Sequence, residues 1–183
     1  MFVLSSTPTA IGAMRNVPAT DAAWLHVDVA DQELLVRAND AAGTVLSRFP
    51  VATGRNGVGE LDGSGCTPRG WHKIRAMIGD DAPPGTVFVA RRPTGEIYSP
   101  ALGEACPGRD WILSRIMWLS GLEPGRNRLG QRDTMRRFIY IHGGPDERPV
   151  GQPGSRGCVR MRNADVIALY EQVQPGTRVL IDG

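Results

Sequence analysis

The stretch Ile139–Arg162, IYIHGGPDERPVGQPGSRGCVRMR, constrains this chain more than any other. A short apolar run, Tyr140-Ile141, reads as a strand and delivers His142 at its end. A glycine- and proline-rich connection then leads to a tight turn, Ser155-Arg156-Gly157-Cys158. A cysteine hydrolase or transferase needs a thiolate, a base that makes it, and backbone N–H groups facing the developing oxyanion. This stretch can supply all three. Gly157 permits a sharp turn and removes a Cβ that would block an approaching carbonyl. The N–H groups of Gly157 and Cys158 are therefore the expected oxyanion donors. Taken singly, a lone cysteine reads as a small buried apolar residue and a lone histidine as a structural one. It is their pairing that points to chemistry.

The 183 residues suit one domain, preceded by a flexible lead-in over 1–21 that is rich in threonine, proline and small residues. A hydrophobic content of 41% is enough for a core, and 21 basic against 19 acidic residues gives no case for nucleic acid as a partner. No apolar run reaches transmembrane length, so no membrane insertion is expected. The N-terminus lacks a basic segment followed by an uninterrupted apolar one. The expectation is a cytoplasmic protein, with the periplasm as the alternative if the N-terminus is truncated. Three cysteines do not complete a disulfide framework, and no Cys-Xaa-Xaa-Cys spacing suggests zinc. Cys66 and Cys106 read as structural, and neither a metal nor a cofactor is called for.

Strand-turn-strand rhythm dominates. Residues 24–29 alternate, with Leu25, Val27 and Val29 on one side, and 34–38 and 45–53 follow as strands. Residues 71–78 and 111–119 read as further strands, with β-branched and aromatic content deciding the second. Residues 87–91 and 96–99 read as a hairpin around Pro93-Thr94-Gly95, and 137–141 as the strand before His142. His26 reads as exposed on a strand and His72 as structural. Residues 54–62, GRNGVGELD, lack the order of a nucleotide loop and read as a loop bordering the site. One helix is clear, over 163–174, with Asn163 as its cap and Pro175-Gly176 as its stop. A last strand closes 177–182. The fold class is mainly β with one α-helix near the C-terminus, and the lack of strand–helix alternation disfavours a doubly wound α/β fold.

His142-Gly143 followed by Ser-Arg-Gly-Cys-Val-Arg-Met resembles the L,D-transpeptidase catalytic domain of the YkuD type. FPVATG (49–54) and TPRG (67–70) agree with that resemblance, which runs over 22–183. It implies a mixed β-sandwich, a Cys158 nucleophile, a His142 base and a backbone carbonyl of Gly143 or Gly144 orienting the imidazole. Many members carry a second histidine where this chain has Arg156, so His142 is expected to act alone. Gly157, Ser155 and Arg160 are the expected supports, Ser155 fixing the turn and Arg160 holding a carboxylate or bracing the site, with a buried structural ion pair as its equal alternative. Arg156, Gly144 and Tyr140 are placed with the substrate.

The implied substrates are peptidoglycan-derived peptides (muropeptides), attacked at a bond whose donor residue has an L centre. With no export signal apparent, the expected activity is an L,D-carboxypeptidase that releases terminal D-Ala from tetrapeptide stems. The alternative is an L,D-transpeptidase, which shares the same acyl-enzyme. A non-catalytic module that binds wall peptides is the remoter one.

Overall fold

The computed structural model describes residues 23–183; the lead-in of 1–21 lies outside them. The strands are β1 (Ala23–Asp28), β2 (Glu33–Ala38), β3 (Val45–Pro50), β4 (Gly70–Ile78), β5 (Thr86–Val89), β6 (Arg92–Ile97), β7 (Ile112–Gly121), β8 (Tyr140–Gly143), β9 (Val159–Met161) and β10 (Arg178–Asp182). Two helices accompany them, α1 (Pro100–Ala105) between β6 and β7, and α2 (Asn163–Tyr170) between β9 and β10. The sheet runs β3-β2-β1-β10-β4-β7-β5-β6. At β7 it branches: β4 and β5 share one edge, while β8 pairs antiparallel on the other and carries β9 parallel to itself.

Alternation places the core. Leu25 and Val27 of β1 are fully buried, as are Leu34 of β2, Ile74 of β4, Leu119 of β7 and Ile181 of β10. α2 lays Val166, Leu169 and Tyr170 onto the same core, against β7 and β8. Burial of each such side chain stabilises the fold by about 1.5–3 kcal/mol before entropy is counted. β8 and β9 are therefore held between the sheet and α2, and this placement fixes the site.

Several local expectations need correction. α2 ends at Tyr170 rather than 174, and its N-cap position is Arg162. Asn163 is its first residue; its N–H is satisfied by Asp146 Oδ1 (2.9 Å), so a loop aspartate does the capping from outside. The β5–β6 hairpin turns at Ala90-Arg91, both with positive φ, rather than at Pro93–Gly95. That is the φ pattern of a tight hairpin turn without its usual asparagine or glycine, and Pro93 lies within the edge strand β6. The strand before the histidine is Tyr140–Gly143 rather than 137–141, because 133–138 wind through turns. The third strand stops at Pro50.

His26 is half-buried rather than exposed. Arg37 donates to its Nδ1 (3.3 Å), so its Nε2 carries the proton given to Asp182 (2.8 Å). α1 had no counterpart in the sequence reading; Ser99 caps it and Pro100 starts it. His72 is structural as expected. It is fully buried between Gly70 O (2.9 Å) and Thr134 Oγ1 (3.0 Å), and burial lowers its pKa to about 4.

Candidate active site

The parallel β8–β9 register sets Ile141 beside Val159 and His142 beside Arg160. Ile141, Val159 and Met161 belong to the core. Side chains alternate along strands, so Tyr140, His142 and Arg160 face the other way, with Cys158 at the start of that face. β8 and β9 thus bring the histidine and the cysteine to one place across the intervening connection.

His142 is 4% exposed, and its Nδ1 sits 2.7 Å from Gly143 O. A carbonyl oxygen only accepts, so Nδ1 carries the proton and Nε2 holds the lone pair. Burial lowers the histidine's pKa; the Gly143 carbonyl and the Asp110 carboxylate act the other way, and Arg160 adds to the lowering. The Cys158 thiol is pushed up to about 12, by burial first and by Asp110, against the opposing Tyr140 N–H and Arg137. Burial thus disfavours the charged form of both groups. The thiol donates to Phe138 O (3.6 Å) and accepts from Tyr140 N–H (3.4 Å); among the described residues no hydrogen bond joins it to His142.

The turn before the cysteine is fixed by three hydroxyl bonds. Ser155 Oγ donates to Cys158 O (2.5 Å) and accepts from Gly157 N–H (3.1 Å). Gly157 N–H is thus occupied by Ser155, which corrects its expected place as a free oxyanion donor. Gly157 has φ +110°, and a Cβ there would sit 2.8 Å from Cys66 O. Thr67 Oγ1 donates to Gly157 O (3.0 Å) and accepts from Gly54 N–H (2.8 Å). The segments 49–54 and 67–70 thereby meet the cysteine turn: Ala52 bridges Arg160 and Gly54 bridges Ser155. The 54–62 loop does border the site, through Arg55.

Arg160 is 6% exposed and donates one bond to Pro149 O (2.8 Å), while its buried Nε has no partner among the described residues. Two glycines make room for it. A Cβ on Gly144 would lie 2.6 Å from Arg160 Cδ, and one on Gly154 would lie 3.2 Å from its terminal nitrogen. Tyr140 is buried beneath the site, its hydroxyl accepting from Arg91 (3.0 Å).

His142, Cys158 and Arg160 line a cavity of ≈ 410 Å³, together with Arg55, Arg148, Arg156 and Asp110. Among the described residues, no side-chain hydrogen bond or ion pair engages Arg55, Arg148, Arg156 or Asp110. Asp110 escaped sequence reasoning because an aspartate between an arginine and a tryptophan fits no motif. Only the fold carries it from the α1–β7 connection to the cavity. Elsewhere, ligand atoms of His26, Asp28 and Asp182 lie within 4.8 Å of one another, but the His26 Nε2 proton already goes to Asp182.

Comparison with known proteins follows the same lines. The family model for the L,D-transpeptidase catalytic domain (YkuD) matches residues 22–181. Two curated Bacillus subtilis proteins, YqjB and YkuD, each named as a candidate L,D-transpeptidase, are 44% identical over 50 residues and 43% over 47. These alignments span 27% of this chain and 28% of YqjB, and 26% of this chain and 29% of YkuD, so less than a third of either relative is covered.

Among solved structures, L,D-transpeptidase 3 from Mycobacterium tuberculosis superposes with a TM-score of 0.54 at 14% identity, over 88% of this chain and 61% of that one. Bdellovibrio bacteriovorus Bd1075 gives 0.55 at 18%, over 88% and 47%. At such identities the superpositions speak for the fold, a mainly β fold of the L,D-transpeptidase type. With the family match spanning nearly all of the chain, the conclusion is that this protein belongs to the L,D-transpeptidase catalytic-domain (YkuD) family.

Proposed function

We propose that the chain is a cysteine acyl-transfer enzyme of peptidoglycan stem peptides, forming a thioester at Cys158 and passing the acyl group to an amine. The observation that carries this reading is the Nδ1–Gly143 O contact, which leaves His142 Nε2 as a base in the cavity that Cys158 lines.

Substrate binding turns the thiol from Phe138 O toward His142, which takes its proton at Nε2. The sulfur attacks the carbonyl of the L centre, and the oxyanion meets the Cys158 N–H. A single well-placed donor of this kind is worth about 2.7–4 kcal/mol. His142 returns the proton to the departing amine of D-Ala, leaving the thioester. An acceptor amine then attacks, gives its proton to His142, and expels the thiolate, which is reprotonated. Acid–base work by one histidine contributes about 10²–10⁴-fold. The unpaired Asp110 carboxylate suits an incoming ammonium, and the relatives named as transpeptidases point the same way.

A second reading is hydrolysis, the L,D-carboxypeptidase activity. It is favoured by the place of Cys158 on the cavity wall, where water can reach the thioester. This reading goes with a cytoplasmic placement among soluble muropeptides. Mass analysis of a tetrapeptide stem, alone and with excess D-amino acid or a second stem, separates the two. Transfer gives exchanged or dimeric products, hydrolysis gives tripeptide and D-Ala, and no change of either kind contradicts both.

A further inference from the structure

The connection from β7 to β8 concentrates charge. Between Glu123 and Arg137 five arginines face two acids, while the rest of the chain is close to neutral. The connection is braced from within. Asn127 is fully buried at its centre, accepting from Glu123 N–H (3.0 Å) and donating to Arg69 O (2.8 Å) and Trp71 O (3.1 Å), which ties the loop to the start of β4. Thr134 N–H donates to Asn127 O (2.9 Å). Both acids are engaged inside the loop. Asp133 accepts from Leu129 N–H (2.8 Å) and Arg136 N–H (3.1 Å). Glu123 accepts from Trp71 N–H (2.5 Å) and from Arg126 (2.8 Å).

The cations are left facing water. Arg126, Arg128, Arg132 and Arg136 are all exposed. Arg126 shares Glu123, and Arg132 has a long contact to Gly125 O (3.4 Å). Among the described residues, Arg128 and Arg136 make no side-chain hydrogen bond or ion pair.

Leu129 stands among them, 61% exposed, with φ 72° and ψ 158°. Glycine takes that backbone region freely, and a residue with a Cβ enters it only under strain. An exposed leucine in a conformation suited to glycine contributes neither packing nor backbone ease to the fold. Strain of this kind collects at functional segments. The neighbouring turn brings a second apolar side chain. Asp62 N–H donates to Gln131 O (2.7 Å), and Leu61, just before it, is 51% exposed. Arg137 holds that turn through Gly59 O (3.1 Å) and Glu60 O (2.9 Å).

Outward leucines among free arginines complement a bilayer surface with anionic headgroups. Guanidinium groups fork onto lipid phosphates, and an apolar tip enters the boundary between headgroups and acyl chains. A soluble polyanion would use the arginines and ignore the leucine, so the strained apolar tip decides for the bilayer. We propose that the 123–137 loop docks the protein on anionic lipid, with Arg128, Arg132 and Arg136 on the phosphates and Leu129 between the headgroups. The chain then lies on the bilayer rather than spanning it. This inference does not depend on the stem-peptide reading.

Sedimentation of the full chain with two kinds of vesicle tests it: phosphatidylcholine alone, and phosphatidylcholine with about one-third phosphatidylglycerol. Binding is expected to the anionic vesicles only, and it weakens as salt rises. Arg128→Gln/Arg132→Gln should lower partitioning about 30-fold, about fivefold for each cation lost. Leu129→Gly should lower it about tenfold, through the lost apolar surface, and at the same time raise the urea midpoint by relieving the strain. Equal binding to the two vesicles, or none to either, overturns the inference. Undiminished binding by the arginine variant overturns the assignment to this loop. If Leu129→Gly binds anionic vesicles as the native chain does, the arginines serve a soluble polyanion and the bilayer reading fails. A fall in its urea midpoint would make Leu129 a structural residue and remove the argument from strain.

Discussion

His72 gives a stability prediction whose size follows from the structure. Its ring is fully buried, with both nitrogens bonded, and burial lowers its pKa from 6.5 to about 4. The unfolded chain takes up this proton below pH 6.5; the folded chain resists it until about pH 4. The unfolded state therefore binds more protons across that window, and stability falls as the pH drops through it. The contribution is complete above pH 6.5, is lost progressively on acidification, and levels off below pH 4. The interval corresponds to about 3 kcal/mol.

The perturbation is His72→Gln, which removes the titration and costs a further pH-independent amount of about 1–3 kcal/mol from the altered hydrogen bonds. Urea unfolding at pH 7 and pH 4 gives the free-energy change for each protein. Carboxylates such as Glu60 and Asp133, which do not feel His72, titrate in both, so they cancel in the difference. Native protein should lose about 3 kcal/mol more than the variant between the two pH values. Parallel losses in the two proteins would refute the reasoning.

Three predictions concern the site. The acid limb of kcat/KM should lie below pH 6.5, because burial lowers the His142 pKa and only its neutral form accepts the proton; with the thiol pushed up to about 12, no alkaline limb from Cys158 should appear below pH 10 or so. Ser155→Ala removes two of the three hydroxyl bonds of the cysteine turn and should cost about 1–3 kcal/mol in urea unfolding, with a fall in kcat larger than any rise in KM. Gly157→Ala forces a Cβ toward Cys66 O at φ +110°, with strain of about 1–3 kcal/mol, and should slow alkylation of Cys158 by iodoacetamide while Cys106 reacts as before.

Much of the fold was legible because alternation and burial agree: Leu25 and Val27 follow period two and both reach the core. The strand Val159–Met161 was not read as one. The elements that escaped depend on signals that sequence carries weakly. The Ala90-Arg91 turn uses positive φ without glycine, and α1 is a single short helix whose only marks are Ser99 and Pro100. α2 lost its expected last turn because 171–172 form a turn and 173–174 are irregular, leaving Val173 buried without helix.

In the site, proximity of His142 and Cys158 was readable from one stretch, as was the Gly143 carbonyl through the family resemblance. The occupation of Gly157 N–H by Ser155 was not, since a hydroxyl two residues away can bond either outward or back along its own turn. Asp110, Arg55 and Arg148 reach the cavity from connections far apart in sequence, and only the closed sheet brings them together.

The central claim is that Cys158 carries the acyl group. Intact-protein mass spectrometry after rapid quenching of native chain with a tetrapeptide stem tests it most directly. The account predicts a transient adduct equal to the stem without its terminal D-Ala, mapped to Cys158, cleaved by hydroxylamine, and absent in Cys158→Ala. D-Ala release with the adduct on Cys66, or undiminished in Cys158→Ala, would contradict it.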